Sequence, residues 1–306
     1  MDVEQLRHEH YNATLIAIKP VTDDLWLIRV RPDQGVLAYK PGQYTTLGLG
    51  YWEPKVEGVG EEQLSEEQQS KLIKRAYSMS YPVVRDEDSA LVDPEELDFY
   101  EFYIALVQNG SQPGQVPALT PRLFTRTVGD RLFVGDKITG HYTLNALGHG
   151  DQVVFAATGT GEAPHNCMIA QLLRTGYPAP IVSIVCVRYE RDLAYKGVHI
   201  RLIEQFPNYH YITLTTRESW NQGRKVYIQD FIASGALEEQ TGMRLDPACT
   251  HVYLCGNPSM IGVPKYHGTD KTYPTPRGVV EILEARGFTA DYKQRIKGNI
   301  HFEEYW

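Results

Sequence analysis

Apolar and polar positions alternate in short runs through the first half of the chain and lose that rhythm in the second. Segments 25–31 (LWLIRVR) and 43–49 (QYTTLGL) alternate with period two and are rich in β-formers, and 76–84, 99–107 and 132–138 continue the pattern. Turn residues at 41–42 (Pro-Gly) and 112–114 punctuate it. Several short strands with little helical periodicity predict a barrel or a sandwich. From 152 onward the pattern changes. Segment 152–158 (QVVFAAT) is a nearly continuous apolar strand, and 162–174 has helical spacing. Strands at 181–188, 211–216 and 251–255 then alternate with helical stretches near 198–205, 226–240 and 277–286. That alternation predicts a parallel sheet with right-handed crossovers. The change of pattern puts the boundary near 145–152 (NALGHGDQ), giving domains 1–150 and 151–306. The acidic, Gln-rich segment 51–74 interrupts the strands; it reads as a solvated insertion with a short helix over 61–72, or alternatively as a lid or partner contact. The Pro/Tyr-rich stretch 262–276 reads as a second extra loop.

Composition narrows the function. The 306 residues are roughly two domains' worth of chain, and 42% apolar content is enough for real cores. The formal charge of −8 argues against general nucleic-acid binding. No apolar run approaches the roughly 18 residues that span a bilayer, and the N-terminal segment lacks signal-peptide character. Four scattered cysteines, with no CxxC pair, support neither a disulfide framework nor an iron–sulfur cluster and fit a reducing cytoplasm. Cys167, Cys186 and Cys249 read as structural. The 20 tyrosines are amphipathic packing residues or, alternatively, platforms for flat aromatic ligands.

Candidate chemistry concentrates in a few motifs. ATGTGEAP (157–164) joins a buried strand to a helix, where glycines let a phosphate approach the backbone and the helix start favours negative charge. It is neither GxGxxG nor a P-loop. RAYS (75–78) combines an arginine, an aromatic ring and a hydroxyl, able together to hold phosphate, stack a ring and donate to a ring nitrogen; such residues also serve simply as surface and core. LCGNPSM (254–260) ends the fourth strand of the second half, and ligands of open α/β sheets bind outside strand C-termini. Cys255 there is either a buried structural thiol or a polarisable group at the site. Arg188, Arg217 and Arg224 follow two other strands and could gather round one phosphate. The segment 298–306 (GNIHFEEYW) ends on two aromatics, which fits docking on the protein's own core or on a ligand.

PGQY, RAYS, LTPR, ATGTGEAP, TRES, LCGNPSM and EEYW occur in an order that resembles the ferredoxin/flavodoxin–NADP(+) reductase family, in particular the bacterial branch ending in Tyr-Trp. The resemblance implies an N-terminal antiparallel β-barrel that binds FAD, followed by a parallel-sheet α/β domain that binds NADP(H). It implies that Arg75 contacts the FAD pyrophosphate, that Ala76 is among the FAD-binding residues, that Tyr77 stacks on one flavin face and that Ser78 hydrogen-bonds near N5. The backbone of Tyr103, Ile104, Ala105 and Leu106 would flank the flavin, and Leu119 and Thr120 would bind pyrophosphate. Thr160, within Gly159–Gly161, would lie near both cofactors. Tyr305 would cover the other flavin face as a gate that nicotinamide displaces, and Trp306 would pack on the FAD adenine. Arg188, Arg217 and Arg224 would hold the NADP 2′-phosphate, and Gly159, Gly161, Cys255, Gly256, Asn257 and Met260 would also bind NADP. Ser78, Cys255, Glu303 and Tyr305 would form the reacting edge, with Glu304 competing for the role of Glu303.

The sequence departs from the family at Glu162 and His165, which stand where small or apolar residues are usual and put a carboxylate toward a phosphate site. The implied partner is a separate ferredoxin or flavodoxin, acting on a monomeric enzyme. Such carriers are acidic, so a basic patch is expected among Lys71, Lys74, Arg122, Arg126 and the run 293–297. The alternatives are an NAD(P)H-dependent reductase component of an oxygenase system and a non-catalytic nucleotide-binding module.

Overall fold

The computed structural model describes residues 2–110, 115–267, 270–292 and 296–305. The turn at 112–114, residues 293–295 of the basic run, and Trp306 lie outside the described residues. The chain forms two compact units.

One unit comprises Met1–Pro82 and Val92–His141. It holds α1 (Val3–His10), β1 (Ala13–Thr22), β2 (Leu25–Pro32), β3 (Tyr44–Gly50), α2 (Glu66–Gln69), β4 (Leu72–Ser78), β5 (Tyr100–Ala105), α3 (Leu119–Leu123) and β6 (Arg131–Val134). The strands run in the order β4-β3-β6-β1-β2-β5, and every neighbouring pair is antiparallel. A bridge from Ser80, just past β4, to Glu101 on β5 brings the two ends of that order together, as in a barrel. Alternate residues point inward, so Leu15, Ile28, Leu47, Ile73, Phe102 and Leu132 are buried in one core.

Several sequence expectations are corrected here. The strand expected over 76–84 ends at Ser78; Pro82 cannot donate to a ladder, and the chain turns away. The helix expected over 61–72 shrinks to the single turn α2, capped by Ser65, because Leu72 onward is taken into β4. The insertion 51–74 is not simply solvated. Glu53 is buried: Arg7 and Arg126 pair with it, and the Tyr11 hydroxyl donates to it. Burial pushes the Glu53 carboxyl up, but those hydrogen bonds and charges outweigh it and hold the group below the ordinary carboxylate range.

The other unit comprises Val83–Leu91 and Tyr142–Trp306. It holds β7 (Gln152–Thr158), α4 (Glu162–Arg174), β8 (Ile181–Val187), α5 (Lys196–Gln205), β9 (Tyr209–Thr215), α6 (Ile228–Ala233), α7 (Ala236–Thr241), β10 (Thr250–Gly256), α8 (Pro258–Ile261), β11 (Lys265–His267), β12 (Asp270–Thr272), α9 (Val279–Glu284) and β13 (Ile300–Glu304). The five-stranded sheet has the order β13-β10-β7-β8-β9 and is parallel throughout. β8 is buried along its whole length, as expected of a strand covered on both faces. The helical pattern over 226–240 breaks into α6 and α7 at Gly235, whose φ of 81° is left-handed. The stretch 262–276 is more than a loop: β11 and β12 form a hairpin, and Lys271 and Tyr273 both bond Glu284 on α9. The segment Val83–Leu91 packs with this unit, where Arg201 pairs with Asp86 and the Gln205 amide donates to the Ser89 carbonyl.

Candidate functional site

In the first unit, residues 75–78 lie along β4, with Tyr77 opposite Thr45 on β3. The Tyr77 ring meets Phe102 edge-on at 6.4 Å, and Ser78 is buried. Arg75 and Ala76 are exposed, and Arg75 spends one N–H on the Lys74 carbonyl (2.8 Å). Ile104 and Leu119 belong to the barrel core, which leaves their backbone as the part able to meet a ligand. The Thr120 hydroxyl accepts from the Val107 N–H at 3.0 Å, tying the start of α3 to the chain just past β5. Arg75 also lines a cavity of about 590 Å³ whose other walls are Tyr51, residues 61–64, Gln115, Val116 and Ala118. That volume falls within the range of small-molecule sites.

The topology of the second unit sets its own site. β8 and β9 extend the sheet to one side of β7, and β10 and β13 to the other, so the order reverses between β7 and β10. Such a reversal opens a crevice at the strand C-termini. Gly159–Gly161 forms a short 3-10 turn there, leading straight into α4. A Cβ on Gly161 would stand 2.4 Å from the Cys255 carbonyl oxygen, and one on Gly256 would stand 2.3 Å from the Thr158 hydroxyl. The two strand ends therefore touch through glycine backbone, and the Asn257 N–H donates to the Thr158 hydroxyl at 2.7 Å. A Cβ on Gly159 would meet nothing within 4 Å, so the turn is open at that point. This is a backbone cradle of the kind that suits a dinucleotide phosphate.

β13 continues the crevice. Its register sets Glu303 opposite Cys255 and Glu304 opposite Gly256, and the Tyr305 N–H donates to the Gly256 carbonyl (2.8 Å). Strand alternation sends Glu303 and Glu304 to opposite faces. Burial, reinforced by the Glu303 charge, pushes the Cys255 thiol well above its ordinary range. Cys255 is thus a buried protonated thiol, and a thiolate nucleophile is not available there. Arg188 and Arg217 sit together just beyond β8 and β9, where the Arg217 N–H donates to the Arg188 carbonyl (2.8 Å); Arg224 follows one loop later. All three are exposed, and none has a carboxylate partner among the described residues.

Some expected roles change. The Glu162 carboxylate does not face a phosphate site: it is buried, 3.0 Å from His199 Nε2 and 3.4 Å from the Tyr211 hydroxyl. Met260, expected at the NADP site, is 4% exposed and packs in the apolar core of this unit. The expected basic patch is largely spent internally. Arg122 and Arg126 are buried against Glu62 and Glu53, Lys71 pairs with Glu67, and Lys74 stands 3.7 Å above the Phe133 ring. Sequence reasoning also missed Tyr142. It is buried, accepts or donates a 2.7 Å hydrogen bond with His165 Nε2, and has a hydroxyl pK raised by burial and then by nearby Cys255 and Glu303. Burial pushes His165 down to about 3, so that imidazole is neutral. No spacing within the sequence links Tyr142 to β10; only the folded sheet does.

Residues 155–265 match the family model described as the oxidoreductase NAD-binding domain. The flavodoxin/ferredoxin–NADP reductase of Buchnera aphidicola subsp. Schizaphis graminum is 25% identical over 82% of this chain and 86% of its own length. The ferredoxin–NADP reductase of Azotobacter vinelandii is 28% identical over 85% and 86%. A ferredoxin NADP+ reductase from Neisseria gonorrhoeae, solved with bound FAD and NADP, superposes with a TM-score of 0.69 at 20% identity, covering 96% of this chain and 97% of that one. The resemblance carried by the sequence motifs therefore holds across most of the chain, and the two-sheet architecture is that of these reductases.

Proposed function

We propose that this chain, similar over most of its length to the flavodoxin/ferredoxin–NADP reductases, is an FAD-dependent enzyme that moves electrons between NADP(H) and a one-electron carrier, ferredoxin or flavodoxin. The observation that carries the reading is the crevice between β7 and β10, with Arg188 and Arg217 just beyond the neighbouring strands β8 and β9 and Arg224 one loop later, none of them with a carboxylate partner among the described residues. A bound flavin supplies the chemistry, accepting two electrons as hydride and passing them on singly. The chain binds and orients. Arg75 holds the flavin diphosphate, Tyr77 packs one ring face, and the Ser78 hydroxyl donates at its reacting edge. The glycine turn at 159–161 takes the nicotinamide dinucleotide's diphosphate on its backbone. Arg188, Arg217 and Arg224 take the 2′-phosphate, which favours NADP over NAD. The Cys255 thiol, protonated as it is, presents a small polarisable group to the nicotinamide, with Glu303 beside it.

Stopped-flow reduction of the purified yellow protein with NADPH and with NADH tests flavin, hydride transfer and specificity together. Flavin bands that bleach faster with NADPH are expected; a colourless protein, or equal rates, overturns the reading. Arg217→Ala should lower the NADPH-over-NADH ratio roughly 10-fold or more, the scale of a lost charge-assisted contact.

In this reading Tyr305 would be the gate, the ring that a nicotinamide has to displace to reach a bound flavin. Stacking contributes only about 0.5–1.5 kcal/mol beyond buried area, so a nicotinamide can compete it away. Tyr305→Ser should tighten nicotinamide binding roughly 2–10-fold and weaken discrimination against NAD. Nicotinamide–flavin charge-transfer absorbance that is unchanged in the variant would sink the gate. We place the enzyme in the cytoplasm as a monomer. All four cysteines are free thiols, and no helix among the described residues is long and apolar enough to cross a membrane.

A further inference from the structure

Glu162 departs from the family's residue type, and the fold gives it buried partners of its own. It follows Gly161 directly, at the first position of α4, and its side chain turns onto α5 and β9. There it is 1% exposed, with Oε1 3.0 Å from His199 Nε2 and 3.4 Å from the Tyr211 hydroxyl. His199 is fully buried. Its other nitrogen, Nδ1, lies 2.7 Å from the Tyr209 hydroxyl. Its ring stacks on Tyr211, 4.2 Å between centroids and 20° between planes. Tyr209 and Tyr211 stand two apart on β9 and so share a face. The titratable groups facing His199 are thus Glu162 from α4 and Tyr209 and Tyr211 from β9. From β8, Ser183 pairs in register with Tyr211 and carries no charge.

This chain of bonds is satisfied at two proton counts with the same heavy-atom geometry. With the imidazole uncharged, Nε2–H donates to Glu162 and Nδ1 accepts from the Tyr209 O–H. With it charged, both nitrogens donate, and the Tyr209 oxygen accepts. Burial pushes the Tyr209 hydroxyl far above its ordinary range, so it stays protonated in both states. The Tyr211 ring face favours the imidazolium. Only the charge changes: the pair is neutral with the proton and carries one net negative charge without it. That charge sits at the start of α4, the positive end of the helix, where the glycine turn would take a diphosphate. A buried charge is screened little by salt, so the bare carboxylate opposes an arriving anion and the neutral pair does not. We propose that Glu162 and His199 form a proton-linked positioning pair that sets the affinity of the 159–161 turn for the dinucleotide, with NADP(H) bound more tightly when the pair holds the proton. By linkage, the dinucleotide draws a proton onto the pair as it binds. This rests on the reading above, in which the turn takes the diphosphate.

The FAD-loaded protein is titrated calorimetrically with NADP(+) from about pH 6 to about pH 8.5, wild type beside Glu162→Gln. The glutamine keeps the size and the acceptor oxygen and removes the charge. Burial then keeps His199 uncharged, as burial does for His165. Titration of the NADP 2′-phosphate is common to both proteins and cancels in the ratio of their dissociation constants. That ratio, wild type over variant, should be near one at the acid end and rise roughly 5-fold or more by the alkaline end. Over the same rise, wild type should take up more protons per NADP(+) bound than the variant, read from the heats in two buffers of different ionisation enthalpy. A ratio that stays constant with pH, whatever its value, leaves Glu162 with a structural role alone; it overturns the inference while the enzyme reading stands. Should Glu162→Gln fail to fold, the double variant Glu162→Leu with His199→Leu takes its place and should show the same rise, since apolar side chains can replace a buried ion pair. A wild-type protein that binds no NADP(+) at any pH overturns both the reading and the inference.

Discussion

Gly161→Ala is expected to lower NADPH affinity and flavin reduction by NADPH roughly 100-fold or more, with little effect on flavin binding. Gly161 has an ordinary φ of −61°, so the effect is purely one of space. The added Cβ would lie 2.4 Å from the carbonyl oxygen of Cys255, 2.6 Å from its carbon and 3.0 Å from the Gly256 nitrogen. All three are backbone atoms at the C-terminal end of β10, which is paired on both sides by β7 and β13, so relief requires prising β10 away from the turn after β7. Overpacking of a core costs about 1–3 kcal/mol, and a backbone collision stands at or above the upper end of that range. The phosphate cradle and the Cys255 edge would shift together. Gly159→Ala is the matched control. Its φ of 54° is left-handed, but the added methyl meets nothing within 4 Å, so only about 1–2 kcal/mol of local strain is expected. Isothermal titration with NADP(+) separates the two. Equal affinities in both variants would show that the close approach is not what shapes the site.

Glu53→Gln is expected to produce the largest loss of stability of any single change in the first unit. The carboxylate is fully buried, with Arg7, Arg126 and the Tyr11 hydroxyl converging on it. The Arg126 side chain is only 7% exposed, so removing the negative charge leaves this buried cation with only the more distant and more exposed Asp130 carboxylate at 3.9 Å. Breaking a buried pair costs about 3–5 kcal/mol, which corresponds to a fall in Tm of about 10–20 °C for a unit of this size. The pH dependence has a fixed sign. The Glu53 carboxyl titrates lower in the folded state than in the unfolded chain, where it lies at about 4.3. Its contribution is therefore complete above that unfolded value and is lost as pH falls through the folded one. The Tm gap between wild type and Glu53→Gln should stay constant from about pH 8 down to about pH 5 and close below about pH 4. A gap independent of pH would mean that the loss is one of shape and not of charge.

The second sheet was legible because its strands are apolar on both faces. VVFAA in β7 and the whole of β8 announce themselves without any knowledge of their neighbours. β13 gave no such signal: IHFEE is short and half polar, and it becomes a strand through pairing with β10. β1 was missed because Lys19-Pro20 interrupts its alternation, although β2 and β6 hold it on both sides. Helix α1 buries none of its residues, so it carries no apolar stripe; its Asp2 cap and the Arg7–Glu53 pair fix it instead. The glycines at 159, 161 and 256 pointed to the crevice because their chemistry is local. The orientation of Glu162 could not be read that way, since its partner His199 lies 37 residues further on. The same holds for Arg122 and Arg126, which look like surface cations in a row of sequence and turn inward because Glu62 and Glu53 return to them across the fold.

The nine residues Val83–Leu91 interrupt the first unit and pack with the second, so the chain crosses between the units three times. A cut between residues 141 and 142 would release a second half lacking the segment that bonds Arg201 and Gln205 on α5. Exchange of one unit for that of a relative therefore needs three junctions, with 83–91 travelling alongside the later half. Chimaeras joined only near residue 142 would pair α5 with a foreign version of this strap, and the mismatch would fall at Asp86 and Ser89.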